Sequence, residues 1–268
     1  MERIYNIVKA MPDSRDFLLK NLIEIQWNTI PNIIDNRVYT LDIRDQENSM
    51  MCAAFSACSI KECQEVICNG ITDLKMYEYL SPRWIYSHRE NIDTDGMNIR
   101  DVMKILLHVG VVKEITMPFN SDFDTIEEIS GYLDIEASRH RISRYTKCTT
   151  IEDTCAAIYR YGACIVSVPV WDTPIDSIYF WKPKDKESKM IGGHAMVLLG
   201  YNKTGLVSYF IIRNSWGPRW GDKGYAYFPF ADFGYIWDIY NICYKEETKK
   251  ELIDTVTIPD RTKCCMLI

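Results

Sequence analysis

Between Ser49 and Gly70 the chain reads SMMCAAFSACSIKECQEVICNG. Ala, Cys and Phe recur along one stripe of a 3.6-residue period, and Asn69-Gly70 is a natural stop, so this segment is expected to be a helix. A second helix is expected from Ser81-Pro82, with Ser as N-cap and Pro at the first helical position. A third, NIRDVMKILLHVG, ends at Gly110, and a fourth runs from an N-cap at Thr150 to Gly162. The pattern then changes. Segments 163–170, 194–202, 207–216, 224–230 and 237–242 are β-branched and aromatic, separated by Gly or polar turns, and read as strands. Helices first and strands later indicate an α+β fold with a helical half and a sheet or barrel half.

Residues 1–40 have a weak pattern, interrupted by Pro12 and Pro31, and read as an N-terminal arm wrapping the domain. The domain itself is expected over 41–247, its helical half about 41–140 and its strand half about 141–247, followed by a charge-rich surface tail, 248–268. Loop 171–193 is long for a compact domain and carries Trp171 and Trp181. Packing is the simpler role for these two rings, and a substrate lid the other. No internal repeat is present.

Composition narrows the function. Hydrophobic residues make up 47% of 268, enough for a large core, and 17 Tyr and 7 Trp argue against disorder. A net charge of -6 and the lack of a Lys/Arg block make nucleic acid an unexpected partner. The start, MERIYNIVKAMPDSRDF, has no apolar h-region, so a cytoplasmic location is expected, with the ten cysteines reduced. No CxxC pair exists, and neither a structural metal nor a cofactor is called for. Cys58, Cys155, Cys164 and Cys243 sit among apolar residues, as buried small hydrophobes do.

The candidate chemistry begins with Cys52, in the first turn of the first helix, where the macrodipole favours a thiolate. Partial exposure and a partner imidazolium would complete its activation. Of four histidines, His194 follows Gly192-Gly193 and opens a buried strand, from which it can face a cleft. Asn214 ends another apolar strand. Its amide can hold the imidazole, and Trp216 can shield that bond from water.

These residues carry a resemblance. Gln46, with Cys52 six residues on and then Ala54-Phe55-Ser56, resembles the nucleophile segment of papain-like cysteine peptidases. Gly193-His194-Ala195 with Val197 and Gly200-Tyr201 resembles their histidine strand. Arg213-Asn214-Ser215-Trp216-Gly217, Trp220-Gly221 and Lys223-Gly224-Tyr225 are similar to their asparagine segment. Cys52 and His194 are 142 residues apart (194 minus 52), within the family spacing of roughly 130–150. Pro12 to Phe17, Leu80-Ser81-Pro82, Gly96 with Ile99-Arg100-Asp101, and Gly110-Val111 resemble a propeptide-less subgroup from bacteria and large viruses. The resemblance implies a helical left lobe and a barrel-like right lobe with a cleft between them, and a peptide or protein substrate. It also implies Cys52 as nucleophile, His194 as base, Asn214 as its orienting group and Gln46 as an oxyanion-hole donor. Gly96 is either part of the substrate channel or a simple loop glycine, and Gly193 and Trp216 belong to the same cleft.

The family pattern is broken at three places. Met50-Met51 stand where a glycine and a small residue are usual, Ala53 replaces a tryptophan, and Ser49 replaces a half-cystine. Met50 and Met51 are expected to crowd the cleft, and they motivate a second reading: a catalytically weak or inactive fold that binds peptides or a host partner. The C-terminal Cys265-Met266-Leu267-Ile268 fits a prenylation box, with Cys264 as a second lipid site. Membrane association is expected only if that box is used.

Overall fold

The structure, a computed structural model, describes residues 5–90, 96–119, 131–172 and 182–243. Five α-helices are present among them: α1 (Cys52–Cys68), α2 (Pro82–Ser87), α3 (Ile99–His108), α4 (Gly131–Arg139) and α5 (Ile151–Tyr161). The strands are β1 (Ile33–Asp35), β2 (Arg144–Cys148), β3 (Cys164–Trp171), β4 (Met190–Asn202), β5 (Tyr209–Arg213), β6 (Tyr225–Pro229) and β7 (Asp238–Cys243). They form one antiparallel sheet in the order β2-β7-β3-β4-β5-β6, with β1 added to β4. The α+β architecture follows the sequence reading, with the helices α1, α2 and α3 preceding most of the sheet.

The helix ends are set by the side chains that mark them. Ser81 caps α2 by accepting from Trp84 N–H, ahead of Pro82. Thr150 and Asp153 form a capping box at α5, and Gly162 closes that helix at φ 96°. Such a cap is worth about 1 kcal/mol.

Strand alternation divides the interior in two. Along β4, Ala195, Val197 and Leu199 join the cluster of α1, α2 and α3, whereas Met196 and Leu198 join the cluster of α5. On β7, Tyr240 and Ile242 take the first side and Ile239 and Cys243 the second. The period of 2 therefore feeds two cores from one sheet. Helix α1 is buried almost all round, including Lys61, Glu62 and Gln64. These polar groups are paired: Glu62 with Arg44 at 3.2 Å, Lys61 with Glu65 at 3.0 Å, and Gln64 Nε2 with the Cys243 carbonyl at 3.3 Å. Unpaired, each would cost several kcal/mol.

Two stretches depart from the sequence pattern. Ile33–Asp35 pairs with Gly200–Asn202, so part of the arm is a strand of the sheet. At Gly200 a side chain would meet the Ile34 carbonyl oxygen at 2.3 Å, which explains the glycine. Strand β4 begins at Met190, so His194 lies inside it and does not open it. Loop 171–193 is correspondingly shorter than its sequence suggested. Trp171 ends β3 and packs edge-on against Tyr235 at 6.4 Å, whereas Trp181 lies outside the described residues.

Candidate active site

Cys52 is the first residue of α1 and is 1% exposed. Backbone N–H groups of Ala195 and Ala53 lie within hydrogen-bonding reach of its sulfur, which puts the helix terminus against the strand that carries His194. Burial pushes its thiol up to about 11, and those N–H groups offset only part of the effect. The partial exposure expected for a reactive thiol is absent. Ile7, from the N-terminal arm, is buried in the same cluster.

His194 is fully buried on β4, opposite Val168 of β3. Its Nε2 is 2.7 Å from Asn214 Oδ1. That oxygen also accepts the Ser215 backbone N–H at 2.8 Å. A carbonyl oxygen only accepts, so Nε2 carries the proton and Nδ1 is the basic nitrogen of a neutral ring. Trp216 stacks on the imidazole with centroids 4.5 Å apart and planes 27° apart, and is itself 5% exposed. Water is thereby kept from the His194–Asn214 bond.

Asn214 is the first residue past β5. It is fixed by its N–H to the Gly224 carbonyl at 3.0 Å and by its neighbour Arg213, whose guanidinium donates to the Leu41 and Asp42 carbonyls at 2.7 Å. The chain from Leu41 then runs into Gln46. Gln46 N–H donates to the Ser215 carbonyl at 2.8 Å, and Gly217 N–H to the Arg44 carbonyl at 3.1 Å. Segments 44–46 and 215–217 thus lie side by side. Gly217 has φ 76°, and a side chain there would press on Asp45 at 3.0 Å.

The Gln46 side chain is clamped at both ends. Ser215 Oγ donates to its Oε1 at 2.6 Å, and its Nε2 donates to the Ser49 carbonyl at 3.0 Å. Ser49 Oγ in turn donates to the Gln46 carbonyl at 2.7 Å. The turn that makes this possible puts Glu47 at φ 53°, a left-handed conformation costing a non-glycine residue about 1 kcal/mol or more. Ser49 therefore works here as a turn residue. Met51 is 2% exposed and packs in the cluster of Ile7 and Cys52, while Met50 is half-buried against it.

Three glycines share one cause. A side chain at Gly96 would meet the Asn6 carbonyl oxygen at 2.1 Å, one at Gly192 the Tyr5 carbonyl oxygen at 2.1 Å, and one at Gly193 the Trp237 ring at 2.4 Å as well as the Ile7 carbonyl oxygen at 2.7 Å. Gly192 and Gly193 are not in the left-handed region. They are needed for space, not for a left-handed turn. Ile7 N–H donates to the Gly193 carbonyl at 3.1 Å and Val8 N–H to the Met97 carbonyl at 3.2 Å. Residues 5–8 therefore lie between Gly96-Met97 and Gly192-Gly193.

The papain family cysteine protease profile matches residues 30–232. The chain belongs to the papain family of cysteine proteases. Among its relatives, a peptidase C1-like protein of Acanthamoeba polyphaga mimivirus is 27% identical, over 86% of this chain and 82% of that one. Human cathepsin O is 25% identical over 72% of this chain and 58% of its own length. Xylellain, a cysteine protease from Xylella fastidiosa, superposes with a TM-score of 0.77 at 20% identity, covering 89% of this chain and 95% of that one. The bromelain protease of Ananas comosus gives 0.62 at 19% identity, covering 80% and 99%. The fold is the papain-like one, and family membership makes this a cysteine-peptidase chain with peptide or protein substrates.

The structure brings Gln46, Asn214, Trp216 and His194 into one connected site, with Cys52 against the next residue, Ala195. Sequence reasoning missed Ser215, which touches both amides, and the segment 5–8. The doublet Gly192-Gly193 was a signal for that segment, since two small residues beside a key histidine leave room for a main chain. Cys264 and Cys265 lie outside the described residues. No helix among the described residues is long and apolar enough to cross a membrane.

Proposed function

We propose that the chain is a papain-like endopeptidase that cleaves extended peptides at Cys52. The observation that carries this is the fixed tautomer of His194. Asn214 Oδ1 and the stacked Trp216 hold Nε2–H and leave Nδ1 as base, on the strand whose next N–H reaches Cys52. His194 Nδ1 takes the thiol proton as the sulfur attacks the scissile carbonyl. The Cys52 backbone N–H and Gln46 Nε2 receive the oxyanion; a donor of this kind contributes about 2.7–4 kcal/mol to the transition state. The imidazolium then protonates the leaving amine, and water, deprotonated by the same nitrogen, releases the acyl group from sulfur.

The test is cleavage of a mixed peptide library by the full chain, with new termini read by mass spectrometry. Products formed by the wild type and absent with Cys52→Ala support the reading. Library peptides that bind but stay intact would leave a peptide-binding module, the reading that Met50-Met51 suggests from sequence.

A further inference from the structure

A groove of about 550 Å³ lies between α4 and residues 113–116. Tyr132, Ile135, Glu136 and Arg139 line it from α4; their i, i+3, i+4, i+7 spacing puts them in one row of the helix. Ala137 is buried in the core instead, with Leu133 packed against it. Ile115 lines the other wall. The apolar lining is uncovered: Tyr132 is 77% exposed, Ile115 73% and Ile135 59%. Large apolar side chains gathered along one groove, and not scattered singly, mark a surface that something covers. The groove is away from the chemistry. His140, just past the end of α4, lines it and bonds Glu65. Glu65 is 13 residues (65 minus 52), about 20 Å, along α1 from Cys52.

The polar groups of the lining have partners, with one exception. Glu136 accepts the Lys113 N–H at 2.8 Å and the Thr116 hydroxyl at 3.0 Å. Lys113 Nζ pairs with Glu78 at 2.7 Å, and His140 with Glu65 at 2.9 Å. Arg139 is exposed and makes no ion pair among the described residues. The lining therefore fits an occupant with aliphatic side chains and one carboxylate among them.

The chain itself supplies such a segment. Strand β7 ends at Cys243, whose carbonyl accepts from Gln64 Nε2 at 3.3 Å and from Ser143 Oγ at 3.4 Å. Ser143 is three residues past His140, so the chain leaves β7 beside one end of the groove. Twenty-five residues follow (268 minus 243), among them Leu252-Ile253-Asp254-Thr255-Val256-Thr257-Ile258. Alternate positions of an extended chain share a side, which groups Leu252, Val256 and Ile258 with Asp254 among them. The nine residues from Cys243 to Leu252 span up to about 30 Å. The row from Tyr132 to Arg139 is only about 10 Å long, so the segment reaches it with slack. We propose that residues 252–258 dock in this groove of their own chain, Leu252, Val256 and Ile258 against Ile115, Tyr132 and Ile135, and Asp254 toward Arg139. The docking involves no part of the Cys52 site and is independent of the peptidase reading.

The test uses the full chain with photoreactive benzoylphenylalanine in place of Tyr132, irradiated and mapped by peptide mass spectrometry. A cross-link from position 132 to residues 252–258 of the same chain is expected, and its yield is expected to fall about tenfold or more with Leu252→Asp/Val256→Asp. Hydrogen exchange reads the same contact without the probe. Amides of 252–258 are expected to exchange about tenfold or more slowly than in a free peptide of that sequence, and at the free-peptide rate in Ile135→Asp. Ile135 is exposed, so the protection of α1 is expected to be unchanged in that variant, which shows that the fold is kept. Cross-links only to other segments, or free-peptide exchange of 252–258 in the wild type, would overturn the proposal. A cross-linked pair of chains would also overturn it and give the groove to a second copy.

Discussion

Asn214 reaches Gln46 through a single residue: the Ser215 backbone N–H donates to Asn214 Oδ1 at 2.8 Å, and the Ser215 hydroxyl donates to Gln46 Oε1 at 2.6 Å. One serine thus sets both the amide that holds His194 and the amide of Gln46. Two separate segments, 44–46 and 214–217, become one rigid unit.

Gln46→Ala removes the proposed side-chain oxyanion donor and is expected to lower kcat by about 100- to 1,000-fold with little change in KM. Ser215→Ala keeps the amide and frees its orientation, so its loss is expected to be smaller and again in kcat. Steady-state kinetics on one peptide substrate check both. An effect confined to KM would assign Gln46 to substrate binding.

The Cys52 thiol, pushed by burial up to about 11, is neutral at pH 7. Alkylation by iodoacetamide needs the thiolate, so the rate at Cys52 is expected to climb about tenfold per pH unit from pH 6 to pH 9 without a plateau. Peptide mass mapping reads the site. In an Ile7→Gly variant, which opens the cluster over Cys52 without adding charge, water enters and the inflection is expected to move to lower pH. A wild-type plateau below pH 8 would contradict the buried neutral thiol.

How far the sequence reached can be argued from particular residues. The caps at Ser81 and Thr150 and the period-2 strands were legible because each signal is local and acts within three or four residues. Asn214 and His194 were legible through their flanking motifs. Ser215 was not, because its role depends on Gln46, 169 residues away in the chain, and a serine is ordinary on its own. The seat of Tyr5 to Val8 was not, because that segment has no strand pattern and is placed by Gly96, Gly192 and Gly193, far along the chain. Strands β1 and β2 and helix α4 escaped for a similar reason, their short or mixed sequences being fixed by what they pair with.

Glu65 shows the same dependence on partners. Its carboxylate accepts from His140 Nδ1 at 2.9 Å and pairs with Lys61 Nζ at 3.0 Å. Burial alone would raise its pKa, but the bond from His140 and the charge of Lys61 prevail and hold it down to about 2. A depressed carboxylate stabilises the fold fully above its unfolded pKa, near 4.5, and that contribution is lost as pH falls from there toward 2. Glu65→Gln leaves the buried Lys61 ammonium without its carboxylate, with only the Gln64 Oε1 acceptor at 3.1 Å, and is expected to cost about 3 kcal/mol at pH 7. Urea unfolding at pH 7 and pH 3 checks it: the gap between wild type and variant is expected to narrow at pH 3. A gap that does not change with pH would place the loss in packing instead.

The most direct test of the central claim is covalent capture of the nucleophile. The Ile7→Gly chain, opened over Cys52, and its Cys52→Ala and His194→Ala derivatives would be exposed to an epoxysuccinyl probe at pH 7, with intact mass and peptide mapping as readout. The account predicts one probe per chain, on Cys52, none on Cys52→Ala, and labelling slowed at least 100-fold in His194→Ala. Labelling spread over other cysteines, or on Cys52 at a rate indifferent to His194, would contradict a Cys52–His194 catalytic pair.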